Sequence, residues 1–253
     1  MVRSGVRSSD SVMYPSSDGL PMAESDFQRG PLMYAVEALR IHFQDRSDVY
    51  VSGNLFIYYE QGNPQAVVAP DVFAVFGASK QDRMTYRLWE EPTAPQWVIE
   101  ITSRSTRGED QRTKRALYAQ LGVQEYWQYD PTGDYLDPQL QGFRLEGGSY
   151  EPITDELLPD GVRALYSEVL GLDIRLEGGR MYFYDVERGE KLLTHEEAEQ
   201  ERRMGEERIR QEAEARQAAE AQLAEEAEAR QAAEAQLAEL AARLRALEER
   251  GTE

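Results

Sequence analysis

The last quarter of the chain contains a nearly perfect direct repeat, and this repeat predicts that the segment forms a single long helix. The segment AEARQAAEAQLAEE at 213–226 is followed at once by AEARQAAEAQLAEL at 227–240. The period of fourteen residues equals two heptads, and Ala, Glu, Gln, Arg and Leu all favour helix. No proline interrupts residues 194–253, and Thr194 with Glu197 forms a capping-box pattern at the start. We therefore predict a separate helical segment at 194–253, in which a single helix from about 195 to 249 would be roughly 80 Å long at about 1.5 Å per residue.

The apolar residues of this segment decide what the helix could pack against. Its C-terminal end has the 3-4-3 spacing of a coiled-coil seam, at Leu237, Leu240, Leu244 and Leu247. Over the whole seam, traced back from Leu247 to Ile209, half of the positions are occupied by charged or small residues. Two interpretations stay open: self-association or partner binding through the last heptads, and a solvated single helix held by charge pairs four residues apart. Both make the tail an interaction or spacing segment without catalytic residues.

Both parts of the chain are acidic. The 253 residues carry 28 basic and 47 acidic side chains, a net charge of −19, of which the tail from Glu196 contributes −8. This balance disfavours nonspecific adhesion to DNA or to anionic membranes. There is no cysteine, no apolar run near the roughly 20 residues of a membrane span, and no signal-peptide pattern at the start. We expect a cytoplasmic protein that makes no contact with membranes.

The remaining residues divide into a leader and a globular part. Residues 1–30 are rich in Ser, Gly, Asp and Pro and are expected to form a flexible arm. The globular domain is predicted at 31–193, beginning with a helix over PLMYAVEALRIHF that has Pro31 near its first turn. Turn signals then separate three β-rich runs, which predict an antiparallel meander, at about 49–51, 54–59 and 66–76.

A strand, a helix and a second strand follow within 35 residues. QWVIEIT at 96–102 leads into a helix at roughly 108–121 that Gly122 closes, and VQEYWQYD at 123–130 is the next strand. This spacing predicts two parallel strands joined by a helical crossover. Two later runs with Gly-Gly hairpin signals, GFRLEGGSYEPI and IRLEGGRMYFYD, are expected to be peripheral. The fold class is therefore α/β (α+β), a mixed sheet flanked by helices.

Three charged residues lie where the apolar pattern predicts burial: Asp71 in VVAPDVFAVF, Glu100 in WVIEIT and Lys114 in RTKRALYAQLG. Each has a structural interpretation, which for Asp71 is a turn residue capping the strand and for Lys114 a buried stem with a hydrated ammonium. Glu100, in the middle of a strand, needs a cation or hydrogen-bond donors. Together, two carboxylates on neighbouring strands can hold one Mg²⁺, and a nearby lysine can assist an attacking water, as phosphodiester hydrolysis requires.

These motifs resemble a known family. The runs A-P-D-V-F-A-V-F, W-V-I-E-I-T-S-R-S-T-R-x-E-D and K-R-A-L-Y-A-Q-L-G-V-Q-E-Y-W-Q-Y-D-P are similar to those of the Uma family of predicted endonucleases. That family is a branch of the PD-(D/E)xK restriction-endonuclease-like superfamily. The resemblance extends from Tyr14 to about Glu197, and its motifs together are highly specific. It implies an α-β-β-β-α-β core, which matches the order of elements above.

The resemblance also implies roles for individual residues. It makes Asp71 the aspartate of the PD motif and Glu100 the second carboxylate. The superfamily lysine normally follows that glutamate by two residues, where this chain has Thr102, so Lys114 on the next helix is the candidate replacement. Glu37 on the first helix is similar to an additional acidic metal ligand of some members.

Two functions from different classes follow. The first is a Mg²⁺- or Mn²⁺-dependent endonuclease with DNA as its substrate, in which Asp71, Glu100 and Lys114 are catalytic and Glu37 is a further possible ligand. The second is a catalytically inactive scaffold with the nuclease fold, whose C-terminal helix forms a homo-oligomer or recruits a partner protein.

Overall fold

The computed structural model describes residues 12–17, 25–102 and 110–250, without the side chains of residues 110, 111 and 244–250. The chain divides into two compact units, Met1–His195 and Glu196–Glu253. A π-helical turn at Asp110–Lys114 leads directly into the second helix. In chain order the elements are α1 (Asp26–His42), β1 (Val49–Ser52), β2 (Ile57–Tyr58), β3 (Val67–Val68), β4 (Val72–Phe76), β5 (Tyr86–Arg87), β6 (Trp97–Ile101), α2 (Arg115–Leu121), β7 (Glu125–Tyr129), β8 (Leu140–Glu146), β9 (Ser149–Pro152), β10 (Glu156–Leu157), β11 (Arg163–Ser167), β12 (Leu172–Glu177), β13 (Arg180–Asp185), β14 (Glu190–Lys191) and α3 (His195–Arg250).

The main sheet has six strands in the order β1-β4-β6-β7-β8-β9. All its neighbours are antiparallel except β6 and β7, which are parallel and place Glu100 opposite Gln128. The helix between them ends at Gly122, whose φ of 78° is the left-handed conformation of a helix C-cap. The strand-helix-strand prediction is therefore confirmed, as is a mixed α+β fold with a long C-terminal helix.

The two faces of the main sheet are covered by different elements. Alternate strand residues such as Val72, Trp97 and Ile99 pack in one cluster with Ala35 and Leu39 of α1. The residues between them form a second cluster that includes Tyr118 of α2, together with Phe73, Val75, Val98 and Tyr126. Because side chains alternate across a strand, α1 and α2 lie on opposite faces of the sheet.

The predicted antiparallel meander is confirmed for its second and third runs, which pair antiparallel as β2 and β3, and is wrong for its first run. The strand that pairs with β1 is β4, whereas β2 lies between β3 and β5 in a separate three-stranded sheet. The chain leaves the main sheet at Gly53, where a Cβ atom would lie 2.4 Å from the backbone oxygen of Asp71. Asn54 follows with a left-handed φ of 49°. This tight turn sends the next strand away from β1 instead of folding it back alongside.

The sequence suggested that the later hairpins are peripheral, but in the structure they are not. β8 and β9 extend the main sheet, and β12 and β13 belong to a five-stranded sheet, β10-β11-β12-β13-β14. Leu172, Ile174 and Phe183 from that sheet are fully buried in the same cluster as Trp97. The second sheet thus supplies part of the main core, because the apolar face of a hairpin has to be covered.

The first helix begins five residues before the predicted start at Pro31. Its first turn forms at Asp26, where the backbone N–H groups of Gln28 and Arg29 donate to the oxygen of Ser25. Pro31 therefore lies inside the helix, where it has no N–H to donate to the backbone oxygen of Phe27, four residues earlier. Phe27 is exposed to solvent, so water can replace that hydrogen bond. The predicted arm of residues 1–30 falls mostly outside the described residues.

The C-terminal unit is a single helix of 56 residues, about 84 Å long at 1.5 Å per residue. None of its described residues is buried and most are exposed, including Leu237 at 67% and Leu240 at 56%. Ion pairs four residues apart, such as Arg216–Glu220, run along it. The other two leucines of the predicted seam lie beyond the described side chains. Within the described ranges, no helix has the length and apolar character needed to cross a membrane.

Candidate active site

Asp71 lies at the entrance of β4, on the face that α2 covers. The pairing of Val72 with Ile99 places Asp71 opposite Glu100 on the neighbouring strand. Its Oδ2 accepts a hydrogen bond of 2.6 Å from the backbone N–H of Ile101. This contact is the one expected of a residue that caps the strand entrance, yet the side chain remains partly exposed. Asp71 therefore joins two strands and also faces the site.

Glu100 is the most buried carboxylate of the site, with no exposed surface. Its Oε2 accepts a hydrogen bond of 2.9 Å from the Nζ of Lys114, and its Oε1 accepts one of 2.6 Å from the Tyr118 hydroxyl. A buried carboxylate is tolerated only when a counter-charge and donors replace its lost hydration. Both of these partners come from one helical segment.

Lys114 and Tyr118 reach Glu100 together because they are four residues apart on the same helical face. Lys114 is the last residue of the π-helical turn, and its side chain is 15% exposed, so the ammonium is held against Glu100 at the edge of solvent. Burial, and then the adjacent charge of Glu100, raises the pKa of Tyr118 well above its usual value. The phenol therefore stays protonated and remains a donor.

Two further polar residues flank Glu100 on the same face. Thr102 follows it by two residues on the chain, and Gln128 pairs with it across β6 and β7. Both are only 2% exposed. Neither the Oγ1 of Thr102 nor the Nε2 of Gln128 has a hydrogen-bond partner among the described residues.

The structure does not bring Glu37 to this group. α1 covers the opposite face of the sheet, and the Glu37 side chain is 49% exposed, with its Oε1 3.8 Å from the Nδ1 of His195. In the part of the chain that is described, no three acidic or histidine side chains are grouped closely enough to share a metal. Asp71 and Glu100 are therefore the pair of oxygen ligands that the fold brings together.

Sequence reasoning missed Tyr118, Thr102 and Gln128. The helical pattern places Tyr118 on the apolar face of its helix, but a tyrosine one turn from an inward-facing lysine also carries a hydroxyl that needs a partner. Gln128 could have been found from its position in the core of a strand, because a buried amide needs hydrogen-bond partners.

Two other buried acids, Glu125 and Asp130, were also missed, but their contacts are structural. Glu125 lies on the opposite face of β7 and accepts hydrogen bonds from Ser167, Arg144 and the backbone N–H of Glu168. Burial acts to raise the pKa of Asp130, but hydrogen bonds from the N–H groups of the following loop outweigh it and lower the pKa. Both carboxylates are thus occupied by protein donors.

The donor set of the site fits a hard divalent cation. Mg²⁺ is commonly held by one or two carboxylates, with waters and phosphate oxygens as its other ligands. A carboxylate oxygen has two lone pairs, and the contacts of Lys114 and Tyr118 each use one on a different oxygen of Glu100, so these two contacts do not by themselves exclude a metal. Asp71 and Glu100 are the two residues that could hold it.

Comparisons with known proteins found that this chain is similar to a solved structure and to a family model. A crystal structure of a "putative nuclease belonging to DUF820" from Anabaena variabilis is 17% identical, with 55% of this chain and 74% of that chain covered and a TM-score of 0.40. No curated protein matches significantly. The model of a family described as "Uma2: Putative restriction endonuclease" matches residues 28–177, which is more than half of the chain. The chain therefore belongs to the Uma2 family.

Proposed function

We propose that this protein is a metal-dependent endonuclease that hydrolyses phosphodiester bonds in DNA. The observation that carries the proposal is the contact of 2.9 Å between Lys114 and the fully buried Glu100, on the same sheet face as Asp71. The three residue types of a two-carboxylate and lysine site are thereby near one another, although Thr102 stands at the usual lysine position.

Asp71 and Glu100 would hold Mg²⁺ or Mn²⁺ as oxygen ligands. When bound, such a metal polarises a phosphoryl oxygen and lowers the pKa of water, which supplies the nucleophile. Its charge would also let an acidic chain approach an acidic polymer, since the net charge of −19 otherwise repels DNA.

Lys114 and Tyr118 have separate tasks in this proposal. Lys114 balances the charge of Glu100 and keeps an ammonium at the edge of solvent, where it can stabilise negative charge that develops on phosphorus. Tyr118 fixes the other oxygen of Glu100, because its raised pKa keeps the proton on the phenol. The carboxylate is thus held in one orientation before substrate binds.

The test is calorimetric titration of Mg²⁺ and Mn²⁺ into the wild type and Glu100→Gln, followed by cleavage assays on single- and double-stranded DNA. We expect the wild type to bind metal and cut, and Glu100→Gln to lose both while remaining folded. Glu146→Gln, which makes the same chemical change at an exposed position, is the matched control and should behave like the wild type. Metal binding that persists in Glu100→Gln, or cleavage without added metal, would refute the proposed site.

The second candidate is a scaffold that works through α3, in a homo-oligomer or with a partner protein. The observation in its favour is the exposure of Leu237 and Leu240 at coiled-coil spacing on a helix of 56 residues. Truncation after Leu193 should then lower the sedimenting mass by more than the mass of the removed residues. Asp71→Ala separates the two functions, since an enzyme would lose cleavage and a scaffold would keep its assembly and partners. A cytoplasmic location remains a prediction from the sequence.

A further inference from the structure

Two buried polar atoms beside Glu100 have no hydrogen-bond partner within the described residues. They are the Nε2 of Gln128 and the Oγ1 of Thr102, and both side chains are only 2% exposed. Native structures pair the large majority of such atoms, so two of them at one site require an explanation. A ligand that supplies the missing partner is one explanation.

Both residues lie next to the carboxylate of the candidate site. The parallel register pairs Gln128 with Glu100, and adjacent strands are about 4.8 Å apart. Thr102 is two residues beyond Glu100, so its side chain lies on the same face. The residues on either side of Gln128, Trp127 and Tyr129, belong to the cluster on the opposite face. The two unpaired atoms therefore flank Glu100, one along its strand and one across it.

We propose that Gln128 and Thr102 form a subsite that donates hydrogen bonds to a phosphate oxygen of the substrate. This inference rests on the proposed function and names two binding residues for it. The Lys114 ammonium is already paired with Glu100. A phosphate oxygen therefore gains from further donors, and an amide and a hydroxyl supply them without adding charge. The partly exposed Asp71 and Lys114 mark the side from which it enters.

Another glutamine of the same domain shows what a structural amide looks like. The Oε1 of Gln96 accepts a hydrogen bond of 2.8 Å from the N–H of Phe76, and its Nε2 donates one of 3.0 Å to the Oγ1 of Thr93. Gln96 therefore satisfies both ends of its amide within the fold. It is the matched control for Gln128.

The experiment compares Gln128→Leu, Thr102→Val and Gln96→Leu in the full chain, with inorganic phosphate and a short DNA duplex as probes. Leucine is close to glutamine in size and has no unpaired donor, so Gln128→Leu should raise the thermal midpoint. The same variant should lose the stabilisation that phosphate gives the wild type and bind the duplex about tenfold more weakly. Thr102→Val should change the same readouts in the same direction. Gln96→Leu should lower the midpoint and keep the protection by phosphate.

The inference is overturned if Gln128→Leu lowers the midpoint and keeps phosphate protection, because the amide would then be structural. It is also overturned if phosphate does not stabilise the wild type, even if that protein cuts DNA. If the wild type cuts no DNA but phosphate protection depends on Gln128 and Thr102, the subsite stands and only the proposed activity fails.

Discussion

Removal of the Lys114 ammonium tests the buried ion pair on which the candidate site depends. In Lys114→Met, the side chain keeps much of its volume, but Glu100 loses the donor to its Oε2 and its counter-charge. Removal of one partner of a buried pair costs about 3–5 kcal/mol. Because the lysine side chain is 15% exposed and Tyr118 still donates to the other oxygen, we expect about 2–3 kcal/mol of destabilisation.

The assay is urea denaturation at pH 7 of Lys114→Met, Glu100→Gln and the double variant. Glu100→Gln removes the charge that needs compensation, so the double variant should be more stable than the sum of the single effects predicts, by about 1–2 kcal/mol. Mg²⁺ should stabilise Lys114→Met more than the wild type, since a bound cation would restore the lost counter-charge.

The exposed pair Arg46–Asp48, whose side chains are 54% and 50% exposed, is the control cycle. Arg46→Met and Asp48→Asn should show no measurable coupling, because solvent screens such pairs. Strictly additive effects at Lys114 and Glu100 would contradict the reasoning, because they would show that the ammonium does not compensate the buried carboxylate. A loss below about 1 kcal/mol in Lys114→Met would contradict it as well.

Three further predictions concern single side chains. Tyr118→Phe should cost about 1.5–3 kcal/mol in urea denaturation, since it removes a hydrogen bond to the charged Glu100, and should slow single-turnover cleavage without abolishing it. The lowered pKa of Asp130 stabilises the fold above its unfolded pKa of about 3.9, and this contribution disappears as the pH falls through the lower folded value. Asp130→Asn should therefore lose stability at pH 7 and show a shallower decline below about pH 4; an unchanged acid branch would contradict this. Gly142→Ala should lower stability by about 1–3 kcal/mol, because its Cβ would lie 2.5 Å from the Trp127 ring, and an unchanged urea midpoint would refute the close packing.

The part of the fold that follows from local pattern was predictable from the sequence. The spacing of β6, α2 and β7 limits how the two strands can pair, because a short crossover helix favours a parallel arrangement. The helical period likewise predicts that Lys114 lies on the inward face of its helix, where it contacts Glu100. The alternation of apolar residues placed Asp71 and Glu100 on their strand faces in the same way.

The strand pairings and the burial that the sequence did not predict depend on contacts between distant segments. Period-two patterns identify strands but not their neighbours, so the pairing of β1 with β4 and the separation of β2 could not be read from them. The decisive features are the close approach at Gly53 and the left-handed turn at Asn54, which become visible only in three dimensions. The burial of β12 and β13 could not be predicted for the same reason, since the sequence of a hairpin does not indicate which element covers its apolar face.

Both side chains that contact the Glu100 carboxylate come from one helical segment. A lysine at position 102 would be fixed by the same strand as Glu100, whereas Lys114 is fixed by the π-helical turn that continues into α2, the helix of Tyr118. Both oxygens of the carboxylate therefore depend on the position of one helix relative to the sheet. The lysine also lies where a π-helical turn passes into regular helix, a type of irregularity that is frequent at functional sites. The hydroxyl of Thr102, which has no hydrogen-bond partner among the described residues, then remains available for the phosphate contact proposed above.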